Sequence, residues 1–83
     1  MNTKISNVHY VQERLGSEAT CQDAELVLDL AAALAAEQGD DNYNAIDWLN
    51  NRTYPWTTLY EAAQGDVAAL ALVRSEAGLS MFA

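Results

Sequence analysis

The sequence predicts an all-α fold, a compact bundle of four to five short helices that forms a single acidic helical domain over residues 1–83. Apolar residues recur at the three- and four-residue spacing of a helix, and glycines that end helices alternate with residues that begin them. No stretch alternates β-branched and polar residues as a strand would. A chain of 83 residues also has room for one hydrophobic core but not for two.

Each predicted helix has a capping residue before it and a glycine or a polar break after it. The expected ranges are about 7–15, 21–38, 41–50, 55–64 and 67–77. The residues expected to cap or open them are Ser6 or Asn7, Thr20, Asp40 or Asp41, Pro55 and Asp66. The second helix is the best defined, because it is rich in Ala and Leu and because Asp23 stands at the capping-box position after Thr20. Gly39 is expected to end it.

The composition excludes several classes of partner. Asp and Glu number 12 against 4 Lys and Arg, which gives a formal net charge of −8 and a pI of about 4.1. Phosphate backbones bind basic proteins, so direct binding of nucleic acid is not expected, and anionic membranes are disfavoured for the same reason. With 51% hydrophobic residues, the chain is also too apolar for a disordered acidic tail.

The sequence predicts a cytoplasmic protein. Its longest apolar run is far below the ~20 residues of a membrane span, and the N-terminus lacks the apolar stretch of a secretory signal. The single cysteine, Cys21, cannot form an intramolecular disulfide, whereas small secreted domains usually contain several.

No pattern of reactive residues indicates catalysis or metal binding. His9 is the only histidine and has no second ligand at metal-binding spacing, and Cys21 is expected to be a core or boundary residue. Asp40 could begin a calcium loop, but Ala45 stands where that loop needs glycine and Asn51 where it needs glutamate. We therefore expect a protein that is not an enzyme and that uses neither a cofactor nor a metal.

The acidic residues are concentrated in one segment. Residues 17–51 contain 8 of the 12 acidic residues and no Lys or Arg, so this segment accounts for the whole net charge of −8. Glu25 and Asp29 lie one helical turn apart, a spacing at which like charges destabilise a helix. A segment that tolerates such repulsion is expected to attract a basic partner. The candidate contact residues are Glu25, Asp29, Glu37, Asp40, Asp41 and Asp47.

In size and composition, the chain resembles small phage-borne inhibitors of restriction or CRISPR complexes. The resemblance implies a non-enzymatic inhibitor that blocks a basic, nucleic-acid-handling protein or nucleoprotein complex. It would do so by presenting carboxylates where the phosphates of DNA would lie. The other interpretation of the acidic segment is solubility, because a charged helix face is usually only solvated.

The aromatic residues support a second hypothesis, a helical adaptor or antitoxin-like regulator that binds a protein through an apolar and aromatic groove. Trp48 and Trp56 are expected to pack in the core across the loop between the third and fourth helices. Tyr43 and Tyr54 lie at predicted element edges and are the candidate aromatic contacts. The apolar tail over 79–83 is expected to cover the core or to form a homodimer patch, and self-assembly through it is a third hypothesis.

Overall fold

The computed structural model describes residues 3–40 and 43–79, and it confirms the all-α prediction. Five helices follow one another with short connections, and the described residues contain no strand. Their bounds are α1 Thr3–Leu15, α2 Cys21–Gln38, α3 Ala45–Asn50, α4 Trp56–Ala63 and α5 Val67–Glu76. None of these helices is both long and apolar enough to cross a membrane.

The bundle consists of two helical hairpins and a short connecting helix. α1 packs against α2, and α4 packs against α5. α2 is the central element, because it also contacts α3 and α4. The described chain measures 34 × 29 × 19 Å along its principal axes.

Every helix contributes at least one fully buried side chain to a single core. The largest of these are Val11 from α1, Val27 and Leu34 from α2, Leu49 from α3, Leu59 from α4 and Val73 from α5. α2 also buries Ala24 and Ala31, whose small side chains suit a helix that has neighbours on several sides. Trp48 and Trp56 lie partly buried against this core. Burial of such side chains provides most of the stability of a domain of this size.

The predicted caps of α2 are confirmed. The Thr20 hydroxyl accepts a hydrogen bond from the Asp23 backbone N–H at 3.1 Å, and the Asp23 carboxylate accepts one from the Thr20 backbone N–H at 3.0 Å. Gly39 ends the helix with a left-handed φ of 72°, a conformation that glycine adopts without a Cβ clash. These local bonds fix both ends of α2, which explains why the sequence predicted its bounds correctly.

Two predicted helix starts are wrong. α1 begins at Thr3 and continues through Ser6 and Asn7, because residues that favour caps cost only a fraction of a kcal/mol inside a helix. α3 has 6 residues rather than about ten and begins after Asn44, whose side chain accepts a hydrogen bond from the Asp47 N–H at 3.1 Å. Asn44 thus takes the capping role expected of Asp40 or Asp41, and Asp41 lies outside the described residues.

The starts of the last two helices agree with the prediction to within one residue. Pro55 occupies the N-cap of α4, one position before the expected first turn. The Asp66 side chain caps α5 by accepting a hydrogen bond from the Ala69 N–H at 2.9 Å. The apolar tail is described only as far as Leu79, which packs against the core. The rest of the tail, predicted to cover the core or to form a homodimer patch, lies outside the described residues.

Candidate partner-binding surface

The outward face of α2 contains two unpaired carboxylates. Glu25 and Asp29 are both exposed, and neither side chain has a hydrogen bond or an ion pair within the described part of the chain. Their i, i+4 spacing places them side by side on this face. Beyond them, the same face is apolar and small, with exposed Ala32, Ala33 and Ala36. The carboxylates therefore occupy the N-terminal half of the face and alanines the C-terminal half.

Two further predicted contact residues flank the C-terminal end of α2. Asp40 is exposed directly after Gly39, and its backbone N–H donates to the Ala35 carbonyl at 3.1 Å. Asp47 is exposed on α3, which packs against α2. The fold thus places Asp40 and Asp47 on neighbouring elements, one at the end of α2 and the other on the helix beside it.

Glu37 has a different environment from the other predicted contact residues. Its two carboxylate oxygens accept hydrogen bonds from the Arg74 guanidinium at 2.7 and 2.8 Å. Arg74 belongs to α5, and its side chain is only 7% exposed, whereas the Glu37 side chain is 44% exposed. These hydrogen bonds and the positive charge of Arg74 lower the pKa of Glu37. Glu37 therefore ties α2 to α5, a role that the sequence interpretation missed.

Asp23 also uses its carboxylate within the fold. Besides accepting from Thr20, it accepts a hydrogen bond from the Gln64 side chain at 3.0 Å, which connects the start of α2 to the end of α4. The hydrogen bond from the Thr20 backbone is the main cause of a lowered pKa at Asp23. Asp23 and Glu37 therefore hold the two ends of α2 with their carboxylates. Glu25 and Asp29, which lie between them, have no partner among the described residues.

The two candidate tyrosines are half-buried and pack against the core. Burial raises the pKa of Tyr43, and the nearby charge of Asp40 raises it further. The Tyr43 hydroxyl is buried and has no hydrogen-bond partner among the described residues. Tyr54 lies between α3 and α4, and burial is again the main cause of its raised pKa. Both rings lie at element edges as predicted, and their role as partner contacts stays a prediction.

A cavity of about 260 Å³ lies in a place that no sequence pattern indicated. Its walls come from the end of α2, from α3, from the α3–α4 linker and from the end of α5. The Trp48 indole donates to the Gln38 side chain at 2.7 Å, and Gln38 donates in turn to the Ala77 carbonyl at 2.8 Å. The Thr53 hydroxyl donates to Glu76 at 2.7 Å. Hydrogen bonds between distant segments therefore shape this cavity.

The remaining reactive side chains do not form a catalytic group. Cys21 is exposed, so the prediction of a core or boundary residue is wrong, and its thiol donates to the Gln12 side chain at 3.2 Å. The first turn of α2 leaves it outside because Ala24 and Val27 form the inward face there. His9 is exposed on α1. Within residues 3–40 and 43–79, no group of three or more His, Cys, Asp or Glu residues could hold a metal ion.

Comparison of the chain with models of protein families, with curated proteins and with solved structures found no match.

Proposed function

We propose that this protein inhibits a basic, nucleic-acid-handling protein complex by occupying its nucleic-acid site with the exposed carboxylates of α2 and α3. The observation that supports this most directly is the pair Glu25 and Asp29, exposed side by side with no internal partner. Asp47 and Asp40 extend the negative surface to the neighbouring helix and to the end of α2. Asp41 belongs to the same proposal on the sequence alone.

A rigid helix is a suitable support for carboxylates that stand in for phosphates. α2 has 18 residues, which corresponds to a length of about 27 Å at 1.5 Å per residue. Its capped ends and its buried inner face keep the helix from fraying, so that little conformational entropy is lost on binding. The negative charge would also speed the encounter with a basic groove.

Glu37 contributes to this surface only indirectly. Its carboxylate is already bonded to Arg74, so a basic residue of the partner would have to compete with a bidentate internal ion pair. We therefore place Glu37 in the support of the surface and Glu25, Asp29 and Asp47 in the contact. Asp40 stays a predicted contact because it is exposed at the end of α2.

The test compares two double variants that remove the same charge from different places. Glu25→Gln with Asp29→Asn removes the pair on α2, whereas Glu13→Gln with Glu61→Gln removes exposed carboxylates on α1 and α4. Each protein is immobilised, host lysate is applied at low salt, and bound proteins are eluted with a salt gradient and identified by mass spectrometry. We expect a nucleic-acid-binding complex that elutes at moderate salt from the wild type and from the α1/α4 control.

Loss of the α2 pair should weaken that binding by roughly tenfold, as expected when two exposed ion pairs are lost. Equal retention by both double variants would contradict the proposal, and so would the absence of any nucleic-acid-binding protein among the captured partners.

The second candidate function is an adaptor that binds a protein partner through apolar contacts. The observation that favours it is the apolar C-terminal half of the outward face of α2, formed by Ala32, Ala33 and Ala36. Such binding would survive high salt, since apolar burial is not screened by ions. Substitution of Ala33 by Glu would weaken it, whereas loss of Glu25 and Asp29 would not.

A further inference from the structure

The cavity described above is lined by polar, charged and aromatic side chains from four segments of the chain. Those that matter here are Gln38, Trp48, Arg52, Thr53, Tyr54 and Glu76. None of them is among the carboxylates proposed to contact a basic partner, so the cavity is a separate site. At about 260 Å³, it lies just below the usual volume range of small-molecule sites, which suits a ligand of few atoms.

The walls of the cavity are held in place before any ligand arrives. The bonds from Trp48 to Gln38 and from Gln38 to the Ala77 carbonyl join α3 to α2 and α2 to the end of α5. The bond from Thr53 to Glu76 joins the α3–α4 linker to α5. A site with fixed walls loses little entropy when it binds a small ligand.

The cavity contains two opposite charges that do not pair with each other. Arg52 and Glu76 both line it, yet no nitrogen of one lies within 4.0 Å of an oxygen of the other. Both charges act on Tyr54. Its pKa is raised, mainly by burial; the charge of Arg52 lowers the pKa and the charge of Glu76 raises it. Arg52 and Glu76 therefore line the same cavity without forming an ion pair with each other.

The Arg52 guanidinium is held in position but has donors to spare. Its central carbon lies 4.0 Å from the centre of the Trp56 ring, and its Nη1 donates to the Leu49 carbonyl at 3.1 Å. Its Nε is buried and has no hydrogen-bond partner among the described residues. Arg52 makes no ion pair in that part of the chain, although the protein has a net charge of −8. A guanidinium in this state is suited to bind a carboxylate.

We propose that this cavity binds a free α-amino acid, with its carboxylate at Arg52 and its ammonium group at Glu76. A simple anion would be repelled by Glu76 and a simple cation by Arg52, so a ligand with both charges fits the site better than either. The rings of Trp48 and Tyr54 provide an apolar wall for the amino acid's own side chain. The cavity volume of about 260 Å³ suits a single amino acid.

The first test follows the two tryptophan indole N–H signals of the ¹⁵N-labelled protein by NMR. Trp48 lines the cavity, and Trp56, stacked under Arg52, reports on that side chain. Each of the common amino acids is added to about 10 mM, ten times a weak Kd of about 1 mM. We expect a saturable shift of the Trp48 signal with at least one of them. No saturable shift with any amino acid would overturn the proposal.

Derivatives of the best amino acid test the two charges separately. The N-acetyl derivative lacks the ammonium group and the amide derivative lacks the carboxylate, so each should bind at least about tenfold more weakly, the loss of one charge-assisted contact. Binding of either derivative as tightly as the free amino acid would show that the site does not recognise a zwitterion, and would overturn the proposal.

Variants of the two charged residues identify the contacts. Arg52→Gln should lose binding, whereas Arg14→Gln is a matched control, because the Arg14 guanidinium lies 4.8 Å from the centre of the Tyr10 ring on α1. Glu76→Gln keeps an acceptor for Thr53 but loses the charge, so it should bind the free amino acid and its N-acetyl derivative equally. This second variant decides the matter if Arg52→Gln fails to fold. An unchanged preference for the free amino acid in Glu76→Gln would overturn the assignment.

Discussion

The carboxylates at the two ends of α2 and those between the ends are used in opposite ways. Between the ends, Glu25 and Asp29 are exposed and have no partner among the described residues. At the ends, Asp23 accepts hydrogen bonds from Thr20 and Gln64, and Glu37 holds the buried Arg74. The acidic residues of this helix therefore form two sets, one that stabilises the fold and one that is exposed without an internal partner.

This difference shows why a count of charges along the sequence overstates the number of carboxylates available for the proposed contact. Residues 17–51 contain no Lys or Arg, yet the guanidinium of Arg74 on α5 forms an ion pair with Glu37. The negative surface that remains for a partner is centred on the first half of α2 and on α3.

The largest effect is expected from Glu37→Gln. Loss of the carboxylate charge removes the ion pair that Glu37 makes with the Arg74 guanidinium, whose side chain is only 7% exposed. The variant should lose several degrees of Tm in thermal unfolding followed by circular dichroism. Arg74→Met should lose less, because the 44% exposed Glu37 side chain can be hydrated once it is alone. A smaller fall for Glu37→Gln than for Arg74→Met would contradict this account of the pair.

Acid should weaken the ends of α2 in a defined pH range. The pKa values of Asp23 and Glu37 are lowered by the fold, so their contribution to stability is complete above the unfolded-state values of about 3.9 and 4.3. It is lost as the pH falls through the lowered folded-state values. Urea unfolding at pH 6, 4 and 3 should show this loss in the wild type and less of it in Glu37→Gln. Parallel losses in both proteins would show that Glu37 does not contribute.

A smaller effect is expected from Thr20→Ala, which removes the hydroxyl that caps α2. Loss of an N-cap side chain typically costs about 1 kcal/mol. The variant removes the bond that the Thr20 hydroxyl accepts, whereas the Asp23 carboxylate can still accept from the backbone N–H of residue 20. Thr57→Ala is the matched control, since Thr57 is exposed in the first turn of α4, where no side-chain cap bond is made. Urea unfolding measures both changes, and equal losses in the two variants would mean that the cap adds nothing.

The smallest effect on stability, and one of opposite sign, is expected from Glu25→Gln with Asp29→Asn. Removal of an i, i+4 repulsion should raise the free energy of unfolding by about 0.2–0.5 kcal/mol at low salt. The gain should disappear in high salt, because ions screen exposed charges. A clear loss of stability would show that these carboxylates support the fold after all, as those at the ends do.

The parts of the fold that local rules control were predictable from the sequence. α2 was predicted with correct bounds because Thr20, Asp23 and Gly39 act on their own neighbours. The start of α3 was not, because Asp40, Asp41 and Asn44 all favour an N-cap and the sequence does not rank them. In the structure, the helix that buries Leu49 begins after Asn44.

The exposed pair of Glu25 and Asp29 was also predictable from the sequence, whereas the ion pair of Glu37 was not. The spacing of Glu25 and Asp29 places them on one outward face of a helix by geometry alone. The pair of Glu37 and Arg74 joins residues 37 positions apart, and no local pattern indicates such a contact. The cavity around Arg52 and Glu76 has the same origin, because it exists only where separate segments meet.

The central claim, that the free carboxylates of α2 take the place of nucleic acid on a partner, is tested most directly by displacement. The captured nucleic-acid-binding complex is loaded with fluorescent DNA, and release of the DNA is followed by anisotropy as this protein is added. We predict that the wild type and the Glu13→Gln, Glu61→Gln control release the DNA equally well, and that the Glu25→Gln, Asp29→Asn variant needs roughly tenfold more protein. Equal release by both double variants, or binding to the complex without any release of DNA, would contradict the claim.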